Sequence, residues 1–259
     1  MNYKAKGNAL KKCQIALLLQ CSLNSAFAET MGSVGAEQFK FHPIVSFSIA
    51  TDFINWGKAQ NVLIVPPFYN HYTKTTSNTK ALDLGVFLGL EHAITDLMML
   101  QLGISVSSVS TIKPEGHVWQ FGLPMFDNFI YNYSIHSTRF MQGGKLLANL
   151  ARNNHIHPYF SWELGAANNK ASRYTELQLD GLIPAMAPYS NHSQTSFAYG
   201  VGIGIDYTIT QYARLGFGYQ YLNLGAASLG LSPSVITGQT LNLSTLQSNQ
   251  VRIQLSYLL

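Results

Sequence analysis

From Phe197 to Leu222 residue type alternates with a strict period of two on each side of a short centre, Thr208 to Gln211. Successive side chains of an extended strand point to opposite faces, so both arms read as strands of one hairpin. In the first arm Phe197, Tyr199, Val201, Ile203, Ile205 and Tyr207 share a face, and Ala198, Gly200, Gly202, Gly204 and Asp206 share the other. The second arm sets Leu215, Phe217, Tyr219 and Tyr221 against Arg214, Gly216, Gly218 and Gln220. A soluble sheet turns a polar face to water, yet the non-apolar face here is mostly glycine with one acid and one base. Glycine suits a cramped space that admits no side chain. A broadly apolar face with tyrosines at its ends suits a strand whose outside touches lipid. The hairpin therefore predicts part of a small membrane barrel.

Only 11% of the chain is charged, against about 25% in a typical soluble domain. A helical membrane protein needs roughly 18 or more nearly uninterrupted apolar residues per span. Beyond the N-terminus even Ala81 to Leu90 carries Asp83 and ends at Glu91. Barrel strands leave no such run, because half of each strand faces inward. Residues 1–28 read as a secretory signal peptide, with Lys4, Lys6, Lys11 and Lys12 as the basic region, Ile15 to Leu19 as the apolar core and Ala26-Phe27-Ala28 as the cleavage site. A lipoprotein signal ending at Cys21 is the alternative reading of Leu18-Leu19-Gln20-Cys21. Cleavage after Ala28 removes both cysteines, Cys13 and Cys21, and with them any disulfide or thiolate-bound metal. It also removes four of the 16 basic residues, leaving as many as the 12 acids. A formal charge of zero argues against a nucleic-acid partner.

Residues 29–42 read as a short periplasmic lead-in and 43–259 as the barrel. Alternation begins at Pro43, with Val45, Phe47, Ile49, Thr51 and Phe53 against Ser46, Ser48, Ala50 and Asp52. The second segment sets Leu82, Leu84, Val86, Leu88 and Leu90 outward and Asp83, Gly85, Phe87, Gly89 and Glu91 inward, and the third sets Leu100, Leu102, Ile104 and Val106 against Gln101, Gly103, Ser105 and Ser107. A fourth carries Phe129, Tyr131, Tyr133 and Ile135 on one face and loses its phase after His136; the awkward Arg139, Gly143, Gly144 and Lys145 suggest a bulge. The fifth sets Phe160, Trp162, Leu164 and Ala166 against Ser161, Glu163 and Gly165. The hairpin supplies the sixth and seventh, and the eighth sets Val251, Ile253, Leu255, Tyr257 and Leu259 against Arg252, Gln254 and Ser256. Long connections at Gly57–Thr79, Ile112–Asn128, Tyr174–Ser193 and Leu224–Gln247 alternate with short ones at Ala93–Asp96, Asn153-Asn154 and Thr208–Gln211.

The predicted class is all-β: an eight-stranded antiparallel transmembrane up-and-down β-barrel, with long loops outside and short turns on the periplasmic side. In that orientation Tyr131, Tyr133, Phe197, Tyr199, Tyr219 and Tyr221 fall at the outer interface, and Phe160, Tyr207, Tyr212 and Tyr257 at the inner one.

The Ala26-Phe27-Ala28 signal, the alternating segments, the repeated Gly-x-Gly strands and the terminal Val-x-Ile-x-Leu-x-Tyr-x-Leu together resemble the small outer-membrane β-barrel proteins, the OmpA-like and opacity-protein-like group. The resemblance covers nearly the whole mature chain. It implies residence in the outer membrane of a Gram-negative bacterium, among outer-membrane lipid and lipopolysaccharide, and a terminal strand read by the barrel-assembly machinery. The family usually ends in phenylalanine, and this chain ends in Leu259.

Specific chemistry is sparse. Gly200-Val-Gly-Ile-Gly lacks the third glycine and the following helix of a dinucleotide fingerprint, so no cofactor is expected. The inward charges Asp52, Asp83, Glu91, Glu163, Asp206, Arg214 and Arg252 lie in an interior only wide enough for side chains, which predicts ion pairs: Asp206 with Arg214 across the hairpin turn, extended by Glu163 and Arg252. His136, with Ser134 and Ser137 beside it and Glu163 on the next strand, supplies the residue types of a lipid-active enzyme at a spacing common enough to be weak evidence. His155 and His157 read as a solvated pair at a turn. The long loops carry candidate contact residues Tyr69, Tyr72, Trp119, Phe126 and Tyr189, and binding usually lies in loops on a rigid scaffold. The leading expectation is a non-enzymatic surface protein for adhesion, host contact or envelope integrity, meeting host or environmental ligands through its loops. A narrow porin-like channel and a lipid-modifying enzyme are the alternatives.

Overall fold

A computed structural model describes residues 40–75, 78–150, 155–179, 181, 184–243 and 245–259. The predicted signal peptide and most of the lead-in lie outside these residues, as does the turn at Asn153-Asn154. Eleven strands follow in chain order: β1 (Phe41–Asn55), β2 (Gln60–Val65), β3 (Phe68–Tyr72), β4 (Asn78–Thr95), β5 (Met98–Ile112), β6 (Glu115–Trp119), β7 (Asp127–Ala148), β8 (Ile156–Gln178), β9 (His192–Thr210), β10 (Ala213–Gly225) and β11 (Leu246–Leu258). Eight of them, β1, β4, β5, β7, β8, β9, β10 and β11, close into an antiparallel ring, with β1 paired to β11. Among the described residues no helix is long and apolar enough to cross a membrane.

One row of cross-strand partners fixes the geometry. It runs from Asp52 through Gln250, Gln220, Gly202, Ser161, Lys145, Gln101 and Glu91 and returns to β1 at His42, ten residues below its start. That offset, spread over eight strands, tilts each by about 40°. A strand rising about 3.3 Å per residue then climbs about 2.5 Å per residue along the barrel axis.

The outward faces are those expected for seven of the eight ring strands. Phe47, Ile49, Leu82 to Leu90 at alternate positions, Leu102, Ile104, Val106, Val201, Ile203, Ile205, Phe217, Ile253 and Leu255 are all exposed, although apolar. At about 2.5 Å per residue they form a belt on the order of 25 Å tall, the height of a lipid-facing band. Tyr199 and Tyr219 mark its upper edge, and Tyr207, Tyr212 and Tyr257 its lower edge.

β7 corrects the sequence reading. It has no bulge at Arg139 to Lys145: odd-numbered residues face inward from Phe129 to Leu147 without a break. The register shift lies higher, where Tyr133 meets two residues of β8, with Arg173 in the left-handed region at φ 57°. What changes along β7 is chemistry, not phase. Phe129, Tyr131, Tyr133 and Ile135 face an apolar interior above the belt, whereas Arg139 and Lys145 face a polar interior within it. Tyr131 and Tyr133 are thus buried, not interfacial, because above the belt the outside is water and the inside must be apolar.

The long connections are also more ordered than expected. β2 and β3 form a hairpin within Gly57–Thr79, and β6 lies within Ile112–Asn128, where it takes the place of β5 beside the top of β7. β1 itself begins at Phe41, two residues before the predicted boundary. Among its described residues Leu224–Gln247 adds only an isolated antiparallel bridge between Ser228 and Asn242; its Ala227, Leu229, Val235, Leu241 and Leu243 pack into the mouth of the ring. Trp56, Val62, Tyr72, Val118, Phe129 and Leu222 join them in one core. The barrel therefore carries a folded cap, closed by its own hydrophobic core.

Candidate functional site

Inside the belt the lumen is filled by tiers of charge. Lowest, Arg214 pairs with Glu91, which also accepts from Gln101 Nε2 at 2.7 Å. Next, Lys145 Nζ lies 3.1 Å from Asp206 and donates to Gln254 Oε1 at 3.3 Å. Arg252 and Glu163 follow at 3.5 Å. At the top Arg139 pairs with Asp83, to which Gln250 Nε2 also donates. The four predicted residues Glu163, Asp206, Arg214 and Arg252 all lie in the lumen, but Asp206 and Arg214 do not pair with each other. Across the turn Asp206 faces Gly216 and Arg214 faces Thr208. Their partners stand on more distant strands instead: Asp206 of β9 meets Lys145 of β7, two strands away, and Arg214 of β10 meets Glu91 of β4, three strands away. Arg139 and Lys145 were missed because the apparent break in β7 hid their parity.

Five lumen carboxylates therefore meet four permanent cations among the described residues. The unmatched one is Asp52, which is 0% exposed and whose two oxygens close no hydrogen bond of good geometry. Ser248 and Gln250 stand beside it, within reach of the charges on Asp83 and Arg139. Glycine has a concrete role in this interior. A Cβ on Gly204 would lie 2.5 Å from the Tyr159 ring, and one on Gly218 would lie 2.1 Å from its hydroxyl. Lys145 Nζ sits 4.1 Å over the same ring. The space left is a cavity of about 40 Å³ whose lining includes Ser105, Ser161, Gln220 and Arg252, room for a water or two.

Ser134, His136 and Glu163 do not converge. His136 points outward opposite Lys170, while Glu163 lies in the lumen opposite Gly143, seven residues further down β7. His157 is not solvated either: it closes the lower end of the lumen, its ring nitrogens 2.8 Å from Asn149 Oδ1 and 2.8 Å from Thr208 Oγ1. His155 is the exposed member, its ring 6.1 Å from that of Tyr207. Among the described residues no cluster could hold a metal ion.

The loop candidates divide into two groups. Tyr72 (1% exposed) and Tyr189 (4%) are core residues, hydroxyl to hydroxyl at 3.3 Å. They are buried because β3 and the segment before β9 fold over the mouth. Burial pushes the Tyr189 hydroxyl up to about 12. It also raises the Glu176 carboxyl in the cap, against the opposing effect of hydrogen bonds from Tyr174 Oη at 2.5 Å and Met186 N at 3.3 Å. Tyr69, Trp119 and Phe126 do reach the surface, in an aromatic rim that also holds Phe68, Phe121 and Met125. Phe121 stacks edge-on against Phe68 at 5.6 Å and Phe126 at 5.8 Å. Trp119 lies 5.0 Å from the His71 ring. Met125 is 80% exposed. Phe121 holds φ 55°, a conformation that costs a bulky residue roughly 1–3 kcal/mol. The apolar run Phe121-Gly-Leu-Pro-Met-Phe126 was the available sequence signal for this rim. The rim stands about 30 Å above the belt, given the climb of β7 from Phe140 to Asp127, so lipid does not cover it.

No family model and no curated protein matches the chain. Among solved structures it is similar to Neisserial surface protein A at 14% identity, covering 83% of this chain and 96% of that one with a TM-score of 0.42. It is similar to the attachment invasion locus protein of Yersinia pestis at 10% identity, 85% and 99% coverage and a TM-score of 0.36. For the outer membrane protein OprG from Pseudomonas aeruginosa the values are 12%, 85%, 97% and 0.39. No residue role passes from them to this chain.

Proposed function

We propose that this chain is a non-enzymatic surface protein of a Gram-negative outer membrane, whose barrel holds an ordered cap outward and whose aromatic rim binds a partner in adhesion, host contact or envelope integrity. The observation that carries this reading is the rim itself. Phe68, Tyr69, Phe121, Met125 and Phe126 are exposed together, well above any lipid, on a cap whose core is already filled by other side chains. Exposed apolar patches that the fold does not need mark interaction sites. The tiers of lumen ion pairs and the packed mouth support a structural role for the interior.

The test is attachment of cells displaying the chain to host-cell monolayers and immobilised matrix proteins. Replacing Phe121, Met125 and Phe126 together by serine should abolish attachment while heat-modifiable electrophoretic mobility stays unchanged. Undiminished attachment by the correctly folded triple variant overturns the reading.

A further inference from the structure

The outward face of β5, β7, β8 and β9 changes character within two rows. Val106, Phe140, Ala166 and Phe197 are mutual cross-strand partners and form the uppermost apolar row. The next outward row is Ser108, Thr138, Asn168 and Thr195. In the row above it His136 faces Lys170, and Lys170 faces Ser193. Each step of two residues climbs about 5 Å on strands of this tilt, and each row itself rises about 3 Å per strand from β5 to β9, so Ser108 stands at the upper edge of the belt and Thr138, Asn168, His136 and Lys170 at the depth of lipid headgroups.

These side chains form a polar cluster. His136 Nε2 lies 3.4 Å from Ser108 Oγ and 3.4 Å from Thr138 Oγ1, gathering three polar atoms beside Lys170. Among the described residues Lys170 has no carboxylate partner. On the same outer face Glu115 stands opposite Asn132, four residues further up β7 than His136. Asn168 and Ser193, hydrogen-bonded at 2.6 Å, continue the surface with groups that match sugar hydroxyls. Directly below, Val106, Phe140 and Leu164 are exposed and apolar.

We infer that this surface seats the phosphorylated sugar headgroup of an outer-leaflet lipopolysaccharide. Lys170 supplies the charge, His136, Ser108 and Thr138 the hydrogen bonds to phosphate, and Val106, Phe140 and Leu164 the track for an acyl chain. The site lies on the barrel wall, apart from the rim. It rests on the outer-membrane orientation proposed above but not on adhesion, so the rim variant leaves it intact.

The experiment uses the chain refolded into neutral phosphatidylcholine bilayers doped with lipopolysaccharide, followed by detergent extraction, capture of the barrel and quantification of retained lipid. Lys170→Ala should lower retention about fivefold, the worth of one lysine at an anionic lipid surface. Lys170→Arg should restore most of it. Ser108→Ala with Thr138→Val should lower retention with no change of charge. Lys40→Ala, the same charge change at the opposite end of the barrel, should leave it unaltered. Enzymatically dephosphorylated lipopolysaccharide should not be retained. Equal retention by wild type and Lys170→Ala overturns the site, as does an equal loss from Lys40→Ala. Equal retention of phosphatidylglycerol overturns the sugar-headgroup assignment.

Discussion

Two aspartates at the top of the lumen respond oppositely to the same change. Asp83 is paired with Arg139 and accepts from Gln250, whereas Asp52 is buried without a cation of its own. Removing one partner of a buried ion pair costs about 3–5 kcal/mol, because the survivor is left charged and unsolvated. Asp83→Asn should therefore destabilise the barrel by about 3 kcal/mol. Asp52→Asn keeps shape and volume, removes a buried charge that Asp83 repels and Arg139 offsets only in part, and sets an amide donor beside Ser248, whose hydroxyl oxygen is likewise unsatisfied. A net hydrogen bond adds about 1 kcal/mol, so this variant should be at least as stable as wild type and more stable by about that amount. Arg139→Met should cost about 3–5 kcal/mol alone and less in the Asp52→Asn background, where one carboxylate fewer is stranded. Reversible urea unfolding in phosphatidylcholine vesicles, followed by tryptophan fluorescence above neutral pH, gives all four numbers. If both aspartate substitutions destabilise equally, or if the effect of Arg139→Met is the same in both backgrounds, the unequal matching of charge in this tier is refuted.

The cap should show its own pH dependence through Glu176, whose carboxyl is raised by burial. A folded-state carboxyl above its unfolded value binds more protons when folded, so this group adds stability as pH falls through its folded range and withdraws it as pH rises. Glu176→Gln should flatten that slope in hydrogen exchange of the cap amides, and an unchanged slope would count against the assignment. Gly218→Val should displace Tyr159 and with it the seat of Lys145, costing roughly 1–3 kcal/mol by overpacking. Urea unfolding unaltered by that change would show that the glycine track is not required.

The belt was legible in the sequence because lipid outside and charge inside impose opposite chemistry on alternate residues, as in Asp83 to Glu91 and Gly200 to Asp206. The cap was not, for the same physical reason. Above the bilayer water replaces lipid outside and an apolar core replaces charge inside, so the parity that marks the lumen face at Arg139 marks a hydrophobic core at Tyr131. Alternation gives a period, and only the surrounding solvent gives its sign. The hairpin β2–β3 was obscured by Pro66-Pro67 and by a run of Asn, Thr and Tyr that reads as loop. Ion-pair partners were illegible on other grounds. Strand neighbours are set by register, but Asp206 and Lys145 meet past the intervening strand β8, 61 residues apart in sequence. The rim residues Tyr69, Trp119 and Phe126 could be named as loop aromatics, whereas separating them from Tyr72 and Tyr189 required knowing which loops fold inward.

β7 runs without interruption from Asp127 beside the aromatic rim to Ala148 at the lower turn, bonded to β6 and β5 along one edge and to β8 along the other. A tensile load applied at the rim consequently passes down a single backbone into the lipid-embedded ring. Its direction is along the strand, so the ladders on both edges are sheared with their hydrogen bonds sharing the force in parallel, instead of being unzipped one pair at a time. The short turn Pro124–Phe126 runs straight into β7 at Asp127, so this part of the rim and the lipid-embedded ring are joined by one continuous strand.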